Sequence, residues 1–230
     1  MIEAPSEEKS LELVEDFNNE LRNALASLAG KKPGLLDTYR FWSAKHLQRA
    51  VDGFVFLRRS RRVDGSKFLV RPAIEMMIRL QASQHPALFY RIAHSEYLQD
   101  KHLLRIAGDD AKLQAQNDKN WEGFKNAFVS EFPTVPIPDV GDRLTIEHLA
   151  KKAGLSPFYN GHYRIYCRYT HGALRASTGN IDEATDRADN QTMAVTALAA
   201  LDNLISFGAH SSNRHGLAQR LEDITQRDST

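Results

Sequence analysis

The chain of 230 residues contains a single cysteine, Cys167, so it can form neither an internal disulfide nor a thiolate metal cluster. That scarcity points to a reducing, cytoplasmic setting. Proline and glycine number only 8 and 13, too few for a collagen-like chain, a linker or a disordered tail. No apolar run approaches the ~18 residues that a membrane-spanning helix needs. The opening stretch, Met1 to Glu8, is acidic and polar, unlike a signal peptide. Neither sign of charge dominates: 30 Lys+Arg stand against 29 Asp+Glu, which excludes a general basic nucleic-acid coat and an acidic shield. Strand signals are scarce too. Only Phe68-Leu69-Val70 and Val135-Pro136-Ile137 could pair, and the proline argues against the second. The expectation is a soluble, cytoplasmic, single-domain protein over residues 1–230, with no membrane partner.

What is present is helical periodicity. Val14, Phe17, Leu21, Leu25 and Leu28 recur at steps of three and four, which predicts a helix over residues 6–29. A second pattern runs from Leu35 to about Arg59. A third helix is predicted to start near Pro72, because proline is tolerated at the first helical position. Its residues Ala73 to Leu80 are apolar on nearly every side, the mark of a helix central to a bundle. Further helices are predicted over 87–106, 110–130, 145–154, 157–170, 186–207 and 214–226. The fold class is therefore all-α, an up-and-down helical bundle.

The even charge balance hides a segregation. Residues 40–79 carry 10 Lys+Arg and 3 Asp+Glu, and residues 151–175 carry 5 Lys+Arg and no acid. The three other long segments are net acidic. If the two basic blocks meet, they form a positive site for phosphate, nucleotide or RNA backbone. If each instead faces an acidic helix, no patch results. The run Arg58-Arg59-Ser60-Arg61-Arg62 is also explained by the helix dipole, which favours cations at a C-terminus by ~0.3–1 kcal/mol.

Each block contains a constellation. Arg71, Glu75 and Arg79 lie at i, i+4 and i+8, so Glu75 can pair with either arginine on one helix stripe. They form either a buried ion pair that fixes helix register or a polar pocket that binds a ligand. Downstream, Tyr159, Tyr163 and Tyr166 share one stripe, while Arg164, Arg168 and His171 form its polar neighbour. An imidazole that titrates near neutrality, beside guanidiniums that grip an anion, suits proton transfer at a phosphodiester. The alternative is a histidine that caps the helix beside core tyrosines.

Other chemistries lack residues. The nine histidines include no i, i+4 pair and no HExxH or Glu-x-x-His spacing, so no metal site is expected and no cofactor is implied. No phosphate-cradling glycine loop or G-x-S-x-G elbow occurs. Leu144 to Pro157 has the outline of a helix-turn-helix, but the helix beyond it carries Phe158, Tyr159, Tyr163, Tyr166 and Tyr169. A DNA-reading helix exposes short polar side chains, so sequence-specific DNA is not an expected partner.

Arg71-Pro72-Ala73-Ile74-Glu75 with its apolar helix, then Ile146, Leu149, Ala150 and Gly154, then Tyr159, Tyr163, Tyr166 and Thr170-His171-Gly172, resembles a bacterial all-helical family, domain of unknown function 5677. The resemblance spans about residues 40–210 and implies a fold without an activity. The helix ending at His171 is also similar to the HEPN superfamily, whose ribonucleases carry an arginine and a histidine separated by four to six residues. Arg164 and His171 match that gap, although Ile165 and Ala173 depart from the usual neighbours. The similarity implies His171 and Arg164 as catalytic residues of a metal-independent RNA-cleaving protein. It also implies a homodimer. Arg71, Glu75, Arg168 and Tyr166 are then expected to bind RNA or another phosphate-bearing ligand. The competing expectation is a non-catalytic interaction or regulatory bundle whose Arg–Glu–His network is structural.

Overall fold

The computed structural model describes residues 7–30, 33–108, 110–139, 144–170 and 183–227, and side chains at 168–170, 183–184 and 227 are not described. Among the described residues there are nine helices and no strand: α1 (Glu7–Ser27), α2 (Leu35–Arg59), α3 (Val63–Ala82), α4 (Pro86–Ile106), α5 (Ala111–Glu131), α6 (Ile146–Lys152), α7 (residues 156–170), α8 (Glu183–Ser206) and α9 (Arg214–Arg227). The all-α expectation holds.

α1 presents Val14, Phe17, Leu21, Ala24 and Leu25 to the core, at the spacing the sequence announces. Its N-terminal acids, Glu7 and Glu8, suit the positive end of the helix dipole. Short connections make α1, α2 and α3 antiparallel neighbours, and α8 packs against all three. α8 is the central helix. It buries Met193, Ala194, Ala197, Ala200, Leu201 and Leu204, and its alanines allow close approach from several sides. Two of its buried polar residues bond within the helix: the Thr196 hydroxyl donates to the Met193 carbonyl at 2.8 Å, and Asn203 Nδ2 donates to the Ala199 carbonyl at 2.9 Å.

α3 differs from its expected form in two ways. It begins at Val63, not near Pro72, and carries that proline internally. Pro72 has no N–H to donate to the carbonyl of Phe68, a residue on the exposed side of the helix at 52%. The strand-prone Phe68-Leu69-Val70 is therefore helical. Nor is α3 apolar all round. One face buries Val70, Ala73, Ile74, Met77 and Ile78, while Arg71, Glu75 and Arg79 lie on another.

Helix ends are fixed by identifiable groups. Thr145 caps α6 by accepting from the His148 N–H at 3.1 Å, and Asp110 caps α5 by accepting from the Lys112 N–H at 2.9 Å. Gly154 (φ 72°) and Gly208 (φ 94°) take left-handed conformations just past α6 and α8, where a side chain would be strained. α2 has no local cap. Instead Glu131, at the end of α5, accepts from the N–H groups of Leu35 at 2.5 Å and Leu36 at 3.2 Å. Gly34 lets it approach, since a Cβ there would stand 2.9 Å from Glu131 Oε2.

The α4–α5 hairpin stands apart from the bundle. A small aromatic cluster of Leu36, Phe89, Tyr90 and Phe128 anchors its base. Phe128 is the one buried residue of α5, and Leu98, Leu103, Ile106 and Leu113 farther out are each about half exposed or more. No helix among the described residues is long and apolar enough to cross a membrane.

Candidate functional site

Between the bundle and the hairpin lies an open cleft of about 960 Å³. α3 gives it Arg71, Glu75 and Arg79, one residue per turn of the polar face. α4 gives it Arg91, His94 and Leu98, and the start of α6 gives Glu147. The fourth wall is Tyr159 and Tyr163 from α7.

α7 is a composite helix: a single turn Ser156–Phe158, a π-helical turn Tyr159–Tyr163 and an α-helix Arg164–Thr170. A π-turn holds one extra residue, so the residues beyond it are rotated by about one helical position. Tyr159 and Tyr163, at the two ends of that turn, are stacked, with ring centroids 5.0 Å apart and planes at 21°, and both face the cleft. Tyr166 turns into the core instead.

Each tyrosine carries a guanidinium. Arg71 lies 5.7 Å from the Tyr163 ring centroid, and Arg164 lies 5.5 Å from that of Tyr159. A hydrogen bond with the Tyr163 hydroxyl raises Arg71 above its ordinary value, so its charge is secure. Burial pushes the Tyr163 hydroxyl up, against the opposing pull of Arg71. Arg164, at the rim, reaches Glu147 at 3.6 Å. Arg79 bridges Glu75 at 3.2 Å and Glu96 of α4 at 3.4 Å, which ties two walls together. Burial lowers the His94 imidazole, favouring its neutral form at neutral pH, so it can accept a proton or a hydrogen bond.

The structure thus brings Arg71 and Glu75 into one solvent-accessible cleft and sets Arg164 at its edge. Tyr166 is elsewhere: 4% exposed, with its hydroxyl donating to Asp189 of α8. The backbone of Arg168 lies in α7, its side chain is not described, and His171 lies outside the described residues. Arg91, His94 and Tyr159 complete the cleft and are absent from the expected site, because α4 meets α3 and α7 only through tertiary packing. The one sequence signal is the shared stripe of Tyr159 and Tyr163.

The first basic block divides. Arg58, whose side chain is wholly buried, reaches Asp186 at 2.8 Å and Asp189 at 2.5 Å, with Glu7 at 3.8 Å. Lys67, 4% exposed, approaches the same two aspartates at 3.8 and 3.9 Å. Arg59 meets Glu8 and Glu15 of α1. These bases face acidic helices and make no patch, whereas Arg71 and Arg79 of the same block open to the cleft, where Arg91 of α4 joins them.

Among the described residues no three His, Cys, Asp or Glu side chains converge as metal ligands. No curated protein and no solved structure matches this chain. A family model does match over residues 44–189, a span that takes in all four walls of the cleft and ends at Asp189. The chain belongs to that family, the family of unknown function DUF5677.

Proposed function

We propose that the protein binds a phosphate-bearing ligand in the cleft between α3, α4, α6 and α7, and that RNA is the class of ligand it takes. The observation that carries this reading is the convergence of Arg71, Arg79 and Arg91 on one open cleft, with Arg164 at its rim. Guanidiniums form paired hydrogen bonds with phosphate oxygens. The lining carboxylates, Glu75 and Glu147, accept hydrogen bonds, so the cleft suits a ligand that offers hydroxyl or amino donors beside its phosphates. A nucleotide unit has both. The half-buried ring of Tyr159 adds a surface on which a base can stack.

In the finer form of the proposal the ligand is also cut. Arg164 steadies the charge that builds on the phosphate, and His171, beyond the end of α7, moves the proton. No metal is needed for that step. Binding and cleavage separate experimentally. Arg71→Ala and Arg79→Ala should each weaken RNA binding about tenfold or more, since a hydrogen bond to a charged group contributes ~1.5–3 kcal/mol. His171→Ala should abolish cleavage and leave binding intact. Equal, negligible cleavage by wild type and His171→Ala ends the nuclease form, and unchanged binding by both arginine variants ends the ligand form.

The second reading is a non-catalytic interaction or regulatory bundle. The bridge from Arg79 to both Glu75 and Glu96 favours it, because it already links α3 to α4 without any ligand.

A further inference from the structure

α4 continues outward, and its charges are sorted by face. At 100° per residue, Arg91, His94, Leu98, Lys101, His102 and Arg105 fall within an arc of about 100°, while Glu96 and Asp100 fall on the far side. Leu98 lines both the cleft and the next groove along the hairpin, whose other walls include Lys101, His102 and Arg105. The two depressions are therefore neighbours that share Leu98 as a border. Lys101, His102 and Arg105 are exposed. Asp118 of α5 pairs with Lys101 at 3.3 Å, and Arg105 lies 3.0 Å from the Nδ1 of His102, a contact that leaves the arginine's charge uncompensated. From Arg91 to Arg105 the track measures about 21 Å at 1.5 Å per residue.

We infer that the ligand of the cleft is an extended single-stranded phosphodiester chain that leaves the cleft past Leu98 and runs along the basic face of α4. The inference rests on the phosphate-binding reading of the cleft and adds the ligand's length and path. A free phosphate or a mononucleotide would fill the cleft and leave the outer track unused. A single strand presents a phosphate at each step and matches a linear row of bases, with sequence-independent affinity that rises with contacts made.

The test is a length series of labelled ribo-oligonucleotides, from 2 to 12 nucleotides, read by fluorescence anisotropy against wild type and Lys101→Glu/Arg105→Glu. Both substitutions lie on the exposed outer hairpin, and an unchanged thermal midpoint confirms the fold. The octamer should bind about tenfold more tightly than the dinucleotide, and the double variant should erase that gain while leaving the dinucleotide within about twofold. The salt slope for the octamer should also fall by about 1.4, from two lost phosphate contacts. Equal affinity for dinucleotide and octamer overturns the inference but leaves the cleft an anion site. Binding of poly-glutamate as tight as that of an oligonucleotide of equal charge overturns it in favour of an acidic protein partner. No binding at any length, with Arg71→Ala indistinguishable from wild type, removes the cleft reading as well.

Discussion

Arg58 and Arg71 sit on consecutive helices, and their surroundings are opposite. The Arg58 side chain is entirely enclosed, between α1 and α8, with Asp186 and Asp189 within 2.8 Å. Arg71 leans on Tyr163 at the wall of a cleft open to water. A buried ion pair adds little net stability over an apolar one but is costly to break, because the remaining charge is stranded. A cation in an open cleft costs the fold little and stays available. Charge counted along the chain cannot separate the two roles; the packing partner of the helix face does.

Breaking the enclosed site should have the largest effect. Arg58→Ala takes the nearest cation from Asp186 and Asp189, leaving them the more distant Lys67, and should cost about 3–5 kcal/mol in chemical denaturation. A smaller effect is expected of Tyr166→Phe, which removes the hydroxyl that donates to Asp189 and leaves a buried carboxylate one donor short, at ~1–3 kcal/mol. Smaller again is Glu20→Gln. Glu20 is 7% exposed and gathers the Ser211 hydroxyl and the N–H groups of Ser212 and Asn213 just before α9. Losing that cap charge should cost about 0.5–2 kcal/mol, read by the same denaturation.

Glu20 and Asp189, both buried, also differ in pH response. Burial raises Glu20, but its donors, Ser211 first, outweigh burial and hold it below the usual carboxylate range. Its contribution is present above its unfolded value and is lost as pH falls through the lowered folded one. Glu20→Gln should therefore flatten the acid limb of the stability profile. Asp189 is raised, chiefly by burial, so the folded state binds its proton more tightly. Its contribution is largest at low pH and is lost as pH rises through the raised value. Asp189→Asn should flatten the opposite limb.

The helices are legible in the sequence because their signals are local: the Val14–Phe17–Leu21 stripe, the Thr145 cap and the Gly154 stop all act within a turn or two. Pro72 misleads because its cost depends on whether water reaches the Phe68 carbonyl, a tertiary fact. The capping of α2 by Glu131 is hidden for a related reason, since donor and acceptor lie 95 and 96 residues apart. The site is half legible. Arg71 and Glu75 share a helix face, so spacing alone places them together. Tyr163 and Tyr166 share a stripe in the sequence, but their partners divide them: Arg71 of α3 meets the first and Asp189 of α8 the second, a difference that spacing does not carry. Arg91 and His94 carry no local mark at all, because only the hinge between α3 and α4 brings them to the cleft.

The smallest expected change in stability is the one that sharpens the comparison most. Arg71 and Arg58 are the same residue type, so Arg71→Ala and Arg58→Ala delete the same atoms. Arg71 contacts Tyr163 at a partly wet wall, and that ring keeps its packing against Arg164-bearing Tyr159 when the guanidinium goes. The hydrogen bond to the Tyr163 hydroxyl is also lost, but cleft water takes its place, so the net loss is mainly one cation–π contact, ~0.5–1 kcal/mol. Arg71→Ala should therefore fall at or below that range in denaturation, several-fold less than Arg58→Ala, while it alone weakens RNA binding. If the two variants destabilise equally, the Arg71 face is structural and the cleft is part of the scaffold. If Arg58→Ala unfolds the protein and Arg71→Ala only empties the cleft, then the difference between the two arginines is the difference between what holds this bundle together and what it holds.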